Sequence, residues 1–183
     1  MDRDLWIFAY GSLIWDPCFV PAERMTARLT GWHRSFCMKS VRYRGTEAEP
    51  GLVLALDERA GARCDGIAFR VAPGLADATL SDLRERELGV TSAYAERRLD
   101  VDLTDGRRVA AVTFVIDRSH AQYCGTLSLE EQARLIAVRA GARGPNRDYL
   151  WNTAGHLAQL GLADPDLDWL AARVRALSPP EHQ

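Results

Sequence analysis

The amino-acid sequence predicts an α+β fold, and three observations support this class. Segments typical of β-strands fill the first half of the chain, while segments with helical periodicity lie mostly in the second half. Short turns separate the strands, which favours hairpins over the crossovers of a doubly wound parallel sheet. With 183 residues, 47% of them hydrophobic, the chain is predicted to form a single domain over residues 1–183.

The first predicted strand, Leu5–Tyr10, is apolar on both faces and is therefore expected to be buried. After Gly31, apolar and polar residues alternate with the period of two that is typical of a strand. Arg42–Gly51 is predicted to be a polar loop, and Asp57–Arg63 a turn. The dipeptide Asp-Gly at positions 105–106 is a strong hairpin signal. The other predicted strands are Leu52–Leu56, Gly66–Val71, Tyr94–Leu103 and Val109–Ile116.

Helical periodicity begins at Pro73 and returns three times after the hairpin. Ser128 and Glu131 have the spacing of a capping box, which marks the start of a helix. Gly161 and Pro179 are expected to end the last two helices. The predicted helices are Pro73–Leu88, Ser128 to about Gly141, Arg147–Leu160 and Asp164 to about Leu177.

Composition excludes several classes of function. The net charge of −2 and the pI near 6.1 give no electrostatic case for binding nucleic acid or an anionic membrane. The polar start, Met1–Asp4, is not typical of a signal peptide, and no stretch approaches the ~20 apolar residues that span a bilayer. We therefore expect a soluble, cytoplasmic protein.

The cysteines and histidines lack the spacing of a metal site or a disulfide framework. The cysteines are expected to be thiols in a reducing cytosol. The histidines are expected to be surface residues or hydrogen-bonded structural residues. These residues are Cys18, Cys37, Cys64, Cys124, His33, His120, His156 and His182.

The segment "LSDLRERELG", Leu80–Gly89, places one carboxylate on the apolar face of a predicted helix. At about 100° per residue, Glu87 projects within about 20° of Leu80 and lies beside Leu83. Glu85 falls on the opposite face, which is expected to be solvated. A carboxylate in an apolar stripe costs several kcal/mol unless it is paired or protonated.

Two interpretations of Glu87 are open. The structural one is a frayed last turn, or an ion pair with an arginine such as Arg34 or Arg84. The functional one is a carboxyl group in a cleft, whose pKa is raised by desolvation so that it can transfer a proton near neutral pH.

The segment "FAYGSLIW" at positions 8–15 interrupts an apolar run with Tyr10-Gly11-Ser12. One interpretation is an ordinary tight turn after a strand. The other is a bend whose backbone N–H groups hold a carboxylate or an oxyanion, while Leu13, Ile14 and Trp15 keep the bend packed.

Five segments together resemble the ChaC family of γ-glutamylcyclotransferases. They occur in the order of the family and extend from Trp6 to about Leu177. The resemblance implies a γ-glutamylcyclotransferase-like fold, with a small mixed β-barrel or sheet and surrounding helices. It also implies a lyase that cleaves glutathione to 5-oxoproline and cysteinylglycine without metal or cofactor. The segments are "FAYGSLIW", "GWHRSFCMKSVRYRGTEAEPGLVLAL", "GIAFRV", "RELGVTSAY" and "GPNRDYLW".

The resemblance also implies roles for individual residues. The catalytic glutamate of the family follows an arginine, and the pattern L-x-x-R-E before an apolar residue selects Glu87 over Glu85. Tyr149, which on the residues alone is either a core residue or a hydroxyl donor, matches the tyrosine of the Asn-x-x-Tyr-Leu segment. Gly45 belongs to the matched polar loop. The residues expected to bind substrate are Tyr10, Gly11, Ser12, Leu13, Ile14, Ser40, Arg44 and Tyr149.

Two segments depart from the family pattern. Ser92-Ala93-Tyr94 stands where the family usually has glycine before the tyrosine, and Val41-Arg42-Tyr43 replaces a more polar stretch found in some members. A cyclotransferase for other γ-glutamyl peptides or γ-glutamyl amines is therefore an alternative. A second alternative is a non-catalytic module that binds small carboxylates through the bend at Tyr10–Leu13.

Overall fold

The computed structural model describes residues 4–89, 92–162 and 164–178. The start of the polar N-terminal segment, the predicted stop at Pro179 and His182 lie outside these residues. A 3-10 turn, Ser12–Ile14, follows the first strand. The strands and α-helices are β1 (Trp6–Ala9), β2 (Pro21–Ser40), β3 (Gly51–Val71), α1 (Ala76–Leu88), β4 (Tyr94–Leu103), β5 (Arg108–Ile116), α2 (Leu129–Val138), β6 (Ala140–Gly141), β7 (Gly144–Pro145), α3 (Asn146–Gln159) and α4 (Pro165–Leu177).

The described residues group into two compact units. The first contains those of Met1–Ser35 and Ala55–Ala121, and the second those of Phe36–Leu54 and Gln122–Gln183. The single domain expected from the sequence stays a prediction. Within the described part of the chain, no helix has the length and apolar character needed to cross a membrane.

A closed β-barrel dominates the first unit. Its strands are arranged in the order β1-β3-β2-β4-β5. Strand β1 runs antiparallel to β3, with Phe8 opposite Ala68, and parallel to β5, with Trp6 opposite Ala111. Since the barrel combines both kinds of pairing and is followed by helices, the predicted α+β fold with a small mixed barrel is confirmed.

Strand β1 is buried along its whole length, as its apolar sequence predicts. Phe8 is 1% exposed, and its carbonyl accepts a hydrogen bond from the buried Thr113 hydroxyl at 3.0 Å. Burial of large apolar side chains on neighbouring strands is the main favourable contribution to the stability of such a barrel. The core cluster comprises Trp6, Phe8, Ala27, Leu29, Leu56, Cys64, Ala68, Val101, Leu103, Ala111 and Val115.

Two strand predictions were wrong in extent. Strand β2 begins at Pro21 rather than after Gly31, and β3 continues through the turn predicted at Asp57–Arg63. Gly31 and Gly61 both have positive φ, +86° and +76°, so each long strand contains a residue in a conformation that glycine adopts readily. The strands therefore continue through segments whose local sequence favours a break.

The β4–β5 hairpin was predicted correctly. The two strands pair from Tyr94 opposite Ile116 to Asp102 opposite Arg108. Gly106 has φ of +90°, and its N–H donates to the Leu103 carbonyl at 3.0 Å. Glycine at this position allows the turn to close without a steric penalty.

The second unit contains helices α2, α3 and α4. The predicted capping box is confirmed, since the Ser128 hydroxyl accepts from the Glu131 N–H and the Glu131 carboxylate accepts from the Ser128 N–H. Helix α2 ends at Val138, earlier than predicted. The chain leaves the helix there because the short β6–β7 pair follows, and the Arg139 carbonyl accepts a hydrogen bond from the Asn146 N–H at 2.8 Å. Buried residues of this unit include Phe36, Leu52, Leu54, Ile136, Leu150, Leu157, Leu167, Leu170 and Val174.

Gly66 on β3 is expected to tolerate no side chain. A Cβ there would lie 2.3 Å from the Ala9 carbonyl oxygen and 2.8 Å from Cζ of Phe8. Gly66→Ala should lower the free energy of unfolding by about 1–3 kcal/mol, the usual cost of overpacking, as measured by urea denaturation. Gly155→Ala on α3 is the control, since its Cβ would meet no described atom within 4 Å. Because alanine favours helix over glycine, the control should stabilise by about 0.5–1 kcal/mol, and equal effects of the two substitutions would contradict the prediction.

Candidate active site

Glu87 lies in the last turn of helix α1, with its side chain largely removed from solvent. The side chain is 17% exposed, Leu83 is 1% exposed, and Glu85 is exposed. The helical-face argument therefore identified the inward-facing carboxylate correctly. Burial raises the pKa of the Glu87 carboxyl above its ordinary value, and the adjacent Arg86 guanidinium opposes that shift.

The end of helix α1 is held by Ser92, the first residue of the segment Ser92-Ala93-Tyr94. The Ser92 hydroxyl donates to the Glu87 carbonyl at 2.5 Å and accepts from the Tyr94 N–H at 3.1 Å. Carbonyl groups in the last turn of a helix have no partner within the helix, so this hydroxyl satisfies one of them. Ser92 thereby fixes the backbone that carries Glu87.

The Glu87 carboxylate forms an ion pair with Arg86, a partner that was not foreseen from the sequence. Arg86 Nε lies 3.2 Å from Glu87 Oε1. The arginines considered as structural partners make other contacts: Arg84 donates to the Glu96 carboxylate at 2.6 and 2.9 Å, and Arg34 donates to backbone carbonyls.

Arg86 also connects helix α1 to the chain that follows β1. Its Nη2 donates to the Ser12 hydroxyl at 3.3 Å, and its Nη1 donates to the Asp16 carbonyl at 2.7 Å and to the Cys18 thiol. One guanidinium therefore joins Glu87 to the bend for which the sequence left a ligand-binding interpretation open.

The bend after Tyr10 consists of Gly11 and the 3-10 turn Ser12–Ile14. Leu13 and Ile14 are 8% and 3% exposed, as expected for residues that keep the bend packed. The Ile14 N–H donates to the Gly11 carbonyl at 2.9 Å and is therefore used within the turn. Ser12 and Leu13 are the first residues of the 3-10 turn, and N–H groups at these positions have no acceptor within the turn. They are therefore better candidates than the Ile14 N–H for binding an anion.

Buried Arg34 holds the start of the bend, and the sequence interpretation did not assign it a functional role. It is 4% exposed, and it donates to the Tyr10 carbonyl at 2.8 Å and to the Asp65 carbonyl at 2.5 Å. The Tyr10 hydroxyl donates to the Phe114 carbonyl at 2.8 Å. An arginine that alternates with Trp32 and Phe36 along a strand was the available signal, because a buried cation there requires several acceptors.

Three other predicted site residues lie together in the second unit. The Ser40 hydroxyl accepts from the Arg44 N–H at 3.0 Å, and the Arg44 guanidinium carbon lies 5.6 Å from the centroid of the Tyr149 ring. The Tyr149 hydroxyl accepts from the Leu54 N–H at 3.4 Å. Arg44 Nη1 also donates to the Arg143 carbonyl at 2.6 Å. The roles of Ser40, Arg44 and Tyr149 in substrate binding stay predictions.

Residues 4–89, 92–162 and 164–178 contain no cluster of three or more His, Cys, Asp or Glu side chains able to hold a metal ion. Burial raises the pKa of the Cys124 thiol to about 11, which favours the thiol over the nucleophilic thiolate at neutral pH. The described titratable group that combines low exposure, a raised pKa and proximity to the bend is Glu87.

Comparison with known proteins places the chain among enzymes. Residues 5–177 match the family model described as ChaC-like protein. Glutathione-specific gamma-glutamylcyclotransferase from Escherichia coli (strain K12) is 38% identical over 173 residues, which cover 94% of this chain and 74% of that protein. Gamma-glutamylcyclotransferase 2-3 from Arabidopsis thaliana is 32% identical over 177 residues, covering 93% and 88% of the two chains.

A solved structure shares the fold. It is a gamma-glutamyl cyclotransferase specific to glutathione from yeast, with a TM-score of 0.84, 22% identity, and coverage of 98% of this chain and 99% of that one. The family match over residues 5–177 and the two sequence relatives lead to the same assignment. The chain belongs to the ChaC-like protein family.

Proposed function

We propose that this chain is a cytoplasmic γ-glutamylcyclotransferase that cleaves glutathione to 5-oxoproline and cysteinylglycine. The observation that carries the proposal is the Glu87 carboxyl group, which is largely buried and is joined through Arg86 to the bend at Ser12. The choice of glutathione is supported by the Escherichia coli relative, a glutathione-specific gamma-glutamylcyclotransferase that is 38% identical.

The proposed reaction is an intramolecular attack. The α-amine of the γ-glutamyl group adds to the γ-carbonyl carbon, forming the C–N bond of a five-membered lactam. The amide bond to cysteine then breaks, and the departing amine takes up a proton. Since the nucleophile is already tethered, the enzyme mainly selects the folded conformer, and such positioning can contribute roughly 7–11 kcal/mol.

Glu87 is proposed to move the proton. Its carboxylate accepts a proton from the α-ammonium group, which makes the amine nucleophilic. The resulting carboxylic acid then donates that proton to the nitrogen of the departing amine. The second proton, which the attacking nitrogen loses as the lactam N–H forms, is taken up by the released amine, which becomes an ammonium group. One group can perform both steps when its pKa lies closer to neutral pH than that of an ordinary carboxyl, and burial shifts the pKa of Glu87 in that direction.

The bend is proposed to hold the anionic parts of the substrate. Ser12 and Leu13 occupy the first positions of the 3-10 turn, where N–H groups have no partner within the turn. These N–H groups are proposed to donate to the α-carboxylate or to the oxyanion that forms at the γ-carbonyl. A Cβ built on Gly11 would meet no described atom within 4 Å, so the backbone can be approached there. On the family resemblance, Tyr10, Ile14, Ser40, Arg44 and Tyr149 remain proposed substrate-binding residues.

The fall of kcat/KM on the acid side of its pH profile (the acid limb) should follow the protonation of the Glu87 carboxyl group. Because the carboxyl must be ionised to accept the first proton, kcat/KM should fall as the pH drops through the pKa of Glu87. Burial raises that pKa, so the fall should occur above the pH range in which an ordinary carboxyl group titrates. Initial rates of 5-oxoproline formation over a pH series measure this, and a limb in or below the ordinary range would contradict the assignment.

A donor panel tests the proposed function directly. The purified chain is incubated with glutathione, other γ-glutamyl peptides and γ-glutamyl amines, and 5-oxoproline and free cysteinylglycine are quantified. We expect turnover of glutathione. Turnover of another donor with glutathione untouched would replace the substrate assignment. Binding without product from any donor would favour the non-catalytic module.

A further inference from the structure

We propose that Arg86 is a positioning residue, which fixes the Glu87 carboxylate against the bend and keeps it ionised until substrate arrives. This inference rests on the proposed function of Glu87 as the proton-transfer group. It assigns Arg86 no direct contact with the reacting atoms.

The geometry of the ion pair is unusual for a helix surface. Adjacent residues of a helix are separated by about 100° and do not face each other, so neighbours in sequence seldom pair. Arg86 Nε nevertheless lies 3.2 Å from Glu87 Oε1. The pair therefore requires the guanidinium to be held in place by contacts outside helix α1.

Those contacts come from the segment that follows β1. Nη1 donates to the Asp16 carbonyl at 2.7 Å and lies 3.5 Å from the Asp16 carboxylate, and Nη2 donates to the Ser12 hydroxyl at 3.3 Å. A third partner is the Cys18 thiol. With Nε at ion-pair distance from Glu87 Oε1, each of the three guanidinium nitrogens lies close to an acceptor. The single ammonium nitrogen of lysine cannot reproduce this arrangement.

The charges around Glu87 leave Arg86 as the cation that acts on it. On the same helix, Arg84 is engaged by Glu96 of strand β4. The segment after β1 contributes the Asp16 carboxylate and the Cys18 thiol, both of which contact Arg86. The Tyr94 backbone and the Ser92 hydroxyl are the polar neighbours beyond the helix end.

Arg86 thus opposes two influences that favour protonation of Glu87. Burial disfavours the carboxylate, and the negative end of the helix dipole lies in the same last turn. A fixed guanidinium within 4 Å stabilises the ionised form of the carboxyl. It also limits the directions from which the carboxylate can be approached.

The test compares Arg86→Met and Arg86→Lys with the control Arg84→Met. Arg86→Met should shift the acid limb of kcat/KM to higher pH, and kcat/KM at neutral pH should fall by up to about 100-fold, as for a catalytic group misplaced by about an ångström. Arg86→Lys restores the charge without the planar group, so the acid limb should return toward the wild-type position while kcat/KM stays reduced. Arg84→Met removes a similar guanidinium from the same helix and should change neither quantity.

A second measurement does not depend on turnover. Titration of ¹³C-labelled glutamate side chains by NMR follows the Glu87 carboxyl in the unliganded protein, with circular dichroism as the check on folding. We expect its midpoint to rise in Arg86→Met and to recover in Arg86→Lys. An unmoved midpoint and acid limb in Arg86→Met would overturn the inference even if activity fell, as would an equal shift in Arg84→Met. If no donor yields 5-oxoproline, the proposed function fails, and the titration separately shows whether Arg86 acts on Glu87.

Discussion

Replacing Glu87 by glutamine is expected to abolish the formation of 5-oxoproline from glutathione while leaving the chain folded. The amide has almost the same shape as the carboxyl group, but it cannot accept a proton from the α-ammonium or return one to the departing amine. Loss of a positioned acid–base group reduces a rate by about 10²- to 10⁴-fold. Product formation by Glu87→Gln and by the wild type, followed at equal protein concentration, measures the effect.

The same substitution should raise stability at neutral pH. A carboxyl group whose pKa is higher in the folded than in the unfolded chain binds its proton more tightly when folded. Its contribution therefore favours the fold at low pH and is lost as the pH rises through the folded-state pKa. Glu87→Gln removes the ionised group, so its advantage over the wild type should be largest at neutral pH and shrink on acidification, as measured by urea denaturation at both pH values.

Glu85→Gln is the matched control for both measurements. Glu85 is two residues away on the same helix, has the same side chain and is exposed. We expect nearly unchanged activity and stability. Full activity of Glu87→Gln, or inactivation by Glu85→Gln, would contradict the assignment of the catalytic group.

Asn146→Ala should cause the second large effect, on stability. Asn146 is 0% exposed, and its side-chain amide makes two hydrogen bonds with the backbone of Leu52. Its Oδ1 accepts from the Leu52 N–H at 2.7 Å, and its Nδ2 donates to the Leu52 carbonyl at 2.7 Å. Alanine would leave both buried backbone groups unpaired, at about 1–3 kcal/mol each, so the free energy of unfolding should drop by roughly 2–6 kcal/mol.

The control for this prediction lies on the same helix. Asn152 is also on α3 and is exposed, so Asn152→Ala removes the same side chain from a solvated position. Alanine favours the helix over asparagine, so this variant should be unchanged or slightly more stable. Urea denaturation compares the two, and equal midpoints would show that the amide of Asn146 contributes nothing beyond its helical position.

The inward position of the Glu87 side chain could be predicted from the sequence because it depends only on neighbouring residues of one helix. The angle between positions on one helix decides which carboxylate faces inward, and that angle is the same in every α-helix. Arg86 was missed for the complementary reason: its pairing with the adjacent residue depends on Ser12 and Asp16, which lie about seventy positions earlier in the chain. The spacing of residues along helix α1 gives no information about a contact with such a distant segment.

The same distinction separates the strands that were predicted well from those that were not. The β4–β5 hairpin is determined by Asp-Gly at its own turn, so its limits could be predicted from the sequence. Strand β3 contains Asp57 and Gly61, which locally favour a turn, but the strand continues through both residues. Pairing across the barrel decides its length, and the local preference is overridden.

The surroundings of Gly11 bear on its proposed role in substrate binding. Its φ of −140° is one that any residue adopts, and an added methyl group would meet no described atom within 4 Å. At Gly66, by contrast, the crowding arises inside the barrel itself. Crowding by neighbouring atoms therefore does not explain the smallest residue at Gly11. Access to the adjacent backbone N–H groups, which the proposed function requires, would be reduced by a bulkier residue there.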